Sequence, residues 1–394
     1  MRAKSNGRCG SRARVVRSCT RFLLTIAVAA LIAACDRAEP PPAPASTPTA
    51  ASAGTAAPAS TAAPTPAQPA TPRSDATAAA RTTVRVAVPG DDNLQFMTFW
   101  VARGAGLFTA EGLDVQIVVP PMPGAAGQFM VMGRADVALL APPMYLNLIG
   151  QRQPILIFAS LFQNDPINLV VRQDVAEERG LSADMPLRER LEAMRGLRVG
   201  VAAGPPTRLR VLFESVGLDA DRDIEMVIVG GDAQNQAFAD GEVDALYAHT
   251  PYLEKAIVEQ GAVMIVNQSA GEGADHTNRH SLVTTRNYAA ANPDVLVAVA
   301  RAIHRAQQLI HRDLDATAEA LRASGVRLLA PEGLETILAI YEPAIPATPA
   351  VSVGGVVREL ELFPAQQTPP DLSGIDLADY VAPQFAEQAV ASGS

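Results

Sequence analysis

One group of residues near the start of the folded region has the types and spacing needed to hold a small planar molecule. It begins with Gly90-Asp91-Asp92-Asn93, after a valine-rich run, and continues with Phe96 and Trp100. Carboxylate and amide groups bind the polar edge of such a ligand, while aromatic rings cover its faces. We therefore predict that Asp92, Asn93, Phe96 and Trp100 contact a ligand. The alternative is that both rings belong to the buried stripe of an amphipathic helix.

Three further candidates follow later predicted strands in the same half of the chain. Pro142 begins a segment after one strand, and Gln163 and Asn164 follow another. The two amide side chains could donate and accept hydrogen bonds to a ligand. Ordinary turn chemistry is the alternative, because Asn and Pro favour turns without any ligand.

A possible anion site lies in the second half of the chain. Gly204, Thr207 and Arg208 stand where a predicted strand gives way to a helix. Free backbone N–H groups and the helix dipole attract anions at such a helix N-terminus. Simple capping of the helix by Thr207 is the alternative.

The remaining candidates are Asp232, Tyr247 and His249, which stand at the ends of two later strands. If the strands are parallel, their carboxyl ends lie at one edge of the sheet, where ligands bind in open α/β folds. We predict that these three side chains face the same cleft as the others.

Motifs for metal, nucleotide or covalent chemistry are absent from the sequence. His276 and His280 have the spacing of a metal-binding pair, but they stand in a Gly-rich stretch without a helical pattern. No Walker A or dinucleotide glycine motif and no Gly-x-Ser-x-Gly elbow is present. We predict no metal, no cofactor and no catalytic residue.

The elements that must position these residues alternate between strand and helix. Short runs such as Val84–Val88 and Leu197–Val201 have strand composition, whereas Gln95–Gly106 and Pro293–His311 have helical periodicity. This alternation predicts an α/β fold with largely parallel strands.

The two halves of this region also share one plan. Each places a Gly-plus-acid turn before its third strand, at Gly133-Arg134-Ala135-Asp136-Val137 and Gly241-Glu242-Val243-Asp244-Ala245. The weak repeat predicts two similar lobes rather than one large sheet.

Composition narrows the class of protein. Seven of the 32 basic residues lie in residues 1–34, so the rest of the chain has 25 basic and 41 acidic residues and a net charge of −16. A nucleic-acid binder needs a basic face, so that class is disfavoured. The three cysteines are Cys9, Cys19 and Cys35, so no disulfide, zinc thiolate or cysteine nucleophile can form after residue 35.

The N-terminal 82 residues differ from the rest. A basic segment and thirteen mostly apolar residues precede Cys35, and this order resembles the signal peptide and lipobox of bacterial lipoproteins. The resemblance implies cleavage after residue 34, acylation of Cys35 and an anchor at the periplasmic side of the cell membrane; Asp36 favours the inner membrane. Residues 35–82 are rich in Ala, Pro and Thr and predict a disordered tether.

The folded region resembles a family. The runs that carry the resemblance are Asn93 to Phe96, Trp100 to Ala102, Gly106 to Val115, Leu197 to Val201 and Asn292 to Val295. They are similar to the ABC-transporter substrate-binding proteins for sulfonates, nitrate, taurine and thiamine pyrimidine precursors.

The resemblance implies a two-lobed periplasmic-binding-protein fold of type II, with two crossing hinge strands near 168–172 and 281–284. On this basis we assign lobe 1 to residues 83–171 and 281–394, and lobe 2 to residues 172–280. The implied partners are a small molecule and an inner-membrane ABC permease, with no nucleic acid.

Two ligand classes compete. Aromatic residues beside acidic ones favour a heteroaromatic amine such as a thiamine pyrimidine precursor, and the helix end at Thr207 and Arg208 favours a sulfonate, nitrate or another anion. The negative charge inclines us to the heteroaromatic ligand. An enzyme or a sensory lipoprotein on the same scaffold is the alternative from a different class.

Overall fold

The computed structural model describes residues 81–202, 206–273, 279–328, 331–362 and 370–392. The predicted signal peptide, nearly all of the predicted tether, Cys35 and Gly204 lie outside these residues. Within this part of the chain, no helix is both long and apolar enough to cross a bilayer.

Ten strands form two sheets of five strands each. The strands are β1 Thr82–Ala87, β2 Leu113–Val118, β3 Val137–Leu140, β4 Ile155–Phe162, β5 Asn168–Val171, β6 Arg198–Val201, β7 Glu225–Ile228, β8 Ala245–Ala248, β9 Val263–Val266 and β10 His280–Thr285.

Sixteen α-helices of the described residues connect and cover these strands. They are α1 Met97–Gly104, α2 Leu107–Ala110, α3 Ala126–Val131, α4 Pro142–Gly150, α5 Gln173–Arg179, α6 Leu187–Ala193, α7 Pro206–Glu214, α8 Ala220–Asp223, α9 Ala233–Ala239, α10 Tyr252–Gln260, α11 Arg286–Ala291, α12 Pro293–Arg312, α13 Leu314–Ala323, α14 Leu334–Tyr341, α15 Val353–Leu362 and α16 Gln384–Ser392.

The two sheets have the same strand order, which confirms the predicted pair of similar lobes. Lobe 1 is built on the order β2-β1-β3-β10-β4 and lobe 2 on β7-β6-β8-β5-β9. In each sheet the first three strands are parallel, and the fourth, β10 or β5, runs antiparallel to its neighbours. This is the two-lobed α/β arrangement that the sequence predicts.

The chain passes between the sheets twice, and the first passage lies earlier than predicted. β5 pairs with β8 and β9, so residues 168–171 belong to lobe 2 rather than lobe 1. The change of sheet therefore takes place between Phe162 and Asn168. The short apolar run of β5 gave no sign of which sheet it joins, because either one would bury it. The return passage ends at β10, which lies in lobe 1 as predicted.

The Gly-plus-acid turns make the same contacts in both lobes. Asp136 accepts hydrogen bonds from Arg85 N at 2.8 Å and Arg85 Nη2 at 2.6 Å. In lobe 2, Asp244 accepts from Arg198 N at 2.8 Å and Arg198 Nη2 at 2.6 Å. Gly133 and Gly241 have φ values of 71° and 70°, a left-handed conformation that glycine adopts without strain. The aspartate of each turn thus links the first strand of its lobe to the third.

One C-terminal helix, α14, contacts both lobes. The apolar stripe of α12 is buried, and His304 on the same helix is buried with it. α14 packs against α13 of lobe 1 and also against α10 of lobe 2. At this contact the hydroxyl of Tyr341 accepts a hydrogen bond of 3.0 Å from Thr250 N.

Candidate functional site

The loops that follow β1 and β8 lie close together across the two lobes. β1 is parallel to both of its neighbours and β8 is parallel to β6, and each loop leaves the carboxyl end of its strand, the position at which ligands bind in open α/β sheets. Asp92 from the first loop and Thr250 and Pro251 from the second line one small cavity. This junction is the candidate functional site.

An aromatic pair stands on the lobe 2 side of the site. The rings of His249 and Tyr252 have centroids 5.8 Å apart and are inclined at 59°, and both side chains are partly exposed. Burial lowers the pKa of His249, although Asp165 and Asp92 oppose this effect. The imidazole is therefore mostly neutral at pH 7, and the pair forms two uncharged aromatic surfaces.

Acidic groups surround this pair. Burial raises the pKa of Tyr252, and the negative charges of Asp232 and Asp92 raise it further. Asp232 is exposed at the start of α9. Tyr252 was not among the predicted site residues.

An ion pair lies on the lobe 1 side of the site. Arg327, just beyond α13, pairs with the carboxylate of Asp92 and donates its backbone N–H to Asp91 O at 2.6 Å. The positive charge of Arg327 partly opposes the rise in the pKa of Tyr252. No local pattern predicted Arg327 as a site residue, since 235 residues separate it from Asp92.

The predicted aromatic wall of Phe96 and Trp100 is not present at this site. Trp100 is 1% exposed and its indole Nε1 donates to Asn93 O at 3.2 Å, while Phe96 is 2% exposed and packs edge-on against His280. Asn93 itself caps a short 3-10 turn by accepting from Gln95 N. These residues form the buried stripe that was the alternative interpretation, because the helix turns its rings toward the sheet.

The predicted anion site at the start of α7 contains an arginine that is already paired. Arg208 Nη1 lies 3.0 Å from Asp165 Oδ1, and Asp165 is fully buried. Asp165 also lies 3.9 Å from Arg279, which in turn pairs with buried Glu359. These contacts join two arginines and two acids of the described residues in one network. Thr207 is partly exposed beside it.

The other predicted residues have structural contacts. Asn164 donates to Ser269 O at 3.0 Å, Gln163 donates to Pro343 O at 3.3 Å, and Tyr247 donates to Gln268 Oε1 at 2.6 Å. Pro142 is buried in the first turn of α4. Turn and core packing explain these positions. Of the predicted residues that the structure describes, it brings together Asp92, Asp232 and His249 around Tyr252.

Metal-binding side chains do not converge in the part of the chain that the structure covers. No three His, Cys, Asp or Glu residues there come together as a metal site would require. His280 is buried between the rings of Phe96 and Phe162, and His276 lies outside the described residues.

Comparison with known proteins identifies a family and a fold. The profile of the NMT1/THI5-like family matches residues 93–316, more than half of the chain. YtlA of Bacillus subtilis (strain 168), which is provisionally named a binding protein, is 24% identical over 219 residues. The match spans 55% of this chain and 62% of that relative.

Solved structures share the fold. A protein of Bordetella bronchiseptica RB50 has 21% identity and a TM-score of 0.58, with 79% of this chain and 98% of that chain covered. The alkanesulfonate-binding protein SsuA from Xanthomonas axonopodis pv. citri, bound to MOPS, has 17% identity and a TM-score of 0.51, with coverage of 74% and 96%. The desulfurization enzyme DSZB has 15% identity and a TM-score of 0.53, with coverage of 80% and 100%. The same fold thus serves binding proteins and an enzyme.

Proposed function

This chain belongs to the NMT1/THI5-like family, and on that premise we propose that it is the substrate-binding protein of an ABC importer. It captures a small solute between its lobes and delivers the solute to a permease in the inner membrane. The protein binds and releases the solute without making or breaking a covalent bond.

The ligand we propose is a planar heteroaromatic molecule with an amino group, of the class of the thiamine pyrimidine precursors. The observation that carries this proposal is the His249–Tyr252 ring pair, 5.8 Å between centroids, with the exposed carboxylate of Asp232 nearby. Aromatic faces stack on a planar ring, and carboxylates accept hydrogen bonds from an amine. The predicted aromatic wall is thereby replaced by a different pair of rings with the same chemistry.

The charge around the site supports an amine over an anion. Arg208 and Arg279 are compensated by buried Asp165 and Glu359, and Arg327 is shared by Asp91 and Asp92. A strong anion site needs arginine or lysine groups with free hydrogen-bond donors aimed at the ligand. The net charge of −16 outside the first 34 residues adds to the same preference.

A titration of the purified protein with both ligand classes tests the proposal. We expect saturable heat release by calorimetry with an aminopyrimidine, and none with an alkanesulfonate or nitrate at the same concentrations. Saturation by the alkanesulfonate or nitrate alone would establish the anion-binding alternative, which the structural similarity to SsuA favours. Tyr252→Ala is the matched variant, and Tyr288→Ala, in lobe 1 on α11, is its control.

An enzyme on this scaffold is the second candidate, since DSZB has the same fold. Chemistry by a cysteine nucleophile is excluded for the folded region, because no cysteine follows Cys35. Mass spectrometry of the bound compound after prolonged incubation separates the two functions: an unchanged compound supports transport, and a product of altered mass supports catalysis.

We also propose that Cys35 carries the lipid anchor and that residues 36–82 tether the lobes to the membrane. The basic, apolar and small-residue order before Cys35 supports this, and two acyl chains are enough for stable anchoring. Incorporation of labelled palmitate, lost in Cys35→Ser and retained in Cys19→Ser, is the expected result. Equal labelling of both variants would exclude this anchor.

A further inference from the structure

A buried carboxyl group lies where lobe 2 contacts lobe 1. Glu254, in the first turn of α10, is 1% exposed. Neither of its carboxylate oxygens has a hydrogen bond of good geometry within the described residues. A buried carboxylate without a cation or donors is strongly disfavoured relative to the neutral acid.

Side chains of both lobes bury this group. Leu94 of lobe 1 and Ile337 of α14 line the same small cavity as Glu254 and Thr250 of lobe 2. The cavity measures about 10 Å³, which is room for one water molecule at most. Solvation of Glu254 therefore requires that α10 move away from Leu94 and α14.

The charged groups that face Glu254 do not neutralise it. Across the cavity, Asp92 and Arg327 pair with each other, and α14 contributes the phenol of Tyr341, whose pKa is raised by burial first and by Glu254 second. On its own helix, Lys255 pairs with Glu259 at 4.0 Å.

The other elements packed against α10 bring mostly neutral groups. They are Asn235 of α9, Asn168 of β5, His249 after β8, which is neutral at pH 7, and exposed Glu332 in the turn before α14. Burial accordingly raises the pKa of Glu254 to about 7, which its helix backbone and Thr250 only partly oppose.

We propose that the contact between α10 and lobe 1 is a proton-linked latch, in which Glu254 is protonated while the lobes are packed together and ionised when α10 separates from Leu94 and α14. Packing takes up one proton in the neutral pH range. A rise of pH through this range therefore weakens the contact. The predicted effect of the latch on solute affinity rests on the proposed binding function. Its predicted effect on stability does not.

The direction in which stability changes with pH follows from the direction in which the pKa of Glu254 is shifted. The acid has a higher pKa when packed than when free, so the packed state holds more protons between about pH 4.5 and 7. Stability consequently falls as pH rises across this interval and levels off above it.

Melting temperature against pH tests the latch without any solute. We expect the wild-type protein to lose melting temperature from pH 5 to pH 8 and Glu254→Gln, which is neutral at every pH, to lose much less and to exceed the wild type at pH 8. Glu259→Gln, on the solvent side of the same helix, is the control and should follow the wild type. Parallel profiles for wild type and Glu254→Gln would overturn the proposal.

Two further measurements cover the remaining outcomes. If Glu254→Gln does not fold, carbon-13 NMR of glutamate carboxyl groups in the wild-type protein must show one that titrates near neutral pH; its absence would overturn the proposal. With a solute that binds, the dissociation constant of the wild type should rise up to tenfold per pH unit between about pH 4.5 and 7, as expected for one linked proton, and level off above pH 7. That of Glu254→Gln should not change in this way. A stability effect without this affinity effect would show that Glu254 titrates without acting as a latch.

Discussion

The guanidinium of Arg208, in the first turn of α7, lies 3.0 Å from the buried carboxylate of Asp165, in the segment that connects the two sheets. The contact ties lobe 2 to the passage between the lobes. It also occupies the arginine that, from sequence, was a candidate for anion binding. Arg279, on the return passage, lies on the other side of the same carboxylate at 3.9 Å.

Loss of the Asp165 carboxylate should therefore destabilise the whole protein. Asp165→Asn leaves Arg279, which is 1% exposed, with one buried acid fewer, and breaking a buried ion pair on one side costs about 3–5 kcal/mol. Urea unfolding measures the change. Asp174→Asn, which removes the exposed pair with Arg172, is the control and should cost far less stability, because solvent screens an exposed ion pair. Equal losses in both variants would mean that Asp165 has no special role at the passage.

The only tryptophan, Trp100, should report on the core rather than on the ligand. Its indole is 1% exposed and bonded to Asn93 O, so its fluorescence emission should be blue-shifted and insensitive to bound solute. With the compound that saturates the protein, Trp100→Phe should retain the wild-type dissociation constant.

Tyr252→Ala should instead weaken binding of that compound roughly tenfold, the effect of losing about 1.4 kcal/mol of aromatic contact. Calorimetric titration of both variants measures the difference. Strong quenching of Trp100 by the solute, together with unchanged affinity in Tyr252→Ala, would return the ligand to the originally predicted aromatic wall.

Acid should destabilise lobe 2 through Asp223, in α8. The guanidinium of Arg222 and the backbone N–H of Asp219 lower the pKa of this carboxyl to about 2, against an ordinary value of 3.8. Its contribution to stability is present above about pH 4 and is lost as the pH falls toward 2. Asp223→Asn should therefore flatten the decline of melting temperature between pH 4 and pH 2.

Asp184→Asn is the control for this acid effect, since the exposed Asp184 forms no ion pair with any residue the structure describes. Its melting profile should follow that of the wild type. If Asp184→Asn and Asp223→Asn flatten the profile equally, the acid sensitivity arises from general charge and not from the Arg222 contact.

The close approach of α1 and α13 should tolerate no side chain at Gly104. A Cβ at this position would lie 1.7 Å from Ala320 O. Gly104→Ala must separate the two helices, and we expect a loss of about 3 kcal/mol or more, the upper end for overpacking. Thermal unfolding monitored by circular dichroism measures the loss.

Gly354→Ala, in α15, is the opposite case. A Cβ there meets nothing within 4 Å, so the substitution should stabilise the protein by about 0.4–1 kcal/mol by restricting the unfolded chain. If Gly104→Ala left the stability unchanged, α13 would not be packed against α1 as the structure shows.

Local sequence information was sufficient to predict the strands and helices and their repetition in two lobes. The predicted segments Val84–Val88, Leu197–Val201 and Pro293–His311 match β1, β6 and α12 to within two residues at each end, and the period of α12 agrees with its buried stripe. The two Gly-plus-acid turns predicted two similar lobes, because a left-handed glycine and an acid that pairs with a strand arginine occur within a few residues of each turn. Periodicity, turn chemistry and composition act over short stretches, and the sequence by itself therefore determined the α/β class and the two-lobed plan.

The site was decided by tertiary structure. Asp165 and Arg208 are 43 residues apart, and Asp92 and Arg327 are 235 apart, so nothing in either neighbourhood predicted that they pair. The direction that an aromatic ring faces depends on the sheet its helix packs against, which placed Trp100 in the core and left Tyr252 at the junction. The same holds for Glu254: its charge is ordinary in sequence, and only the packing of α14 and Leu94 over it removes the water that would keep it ionised.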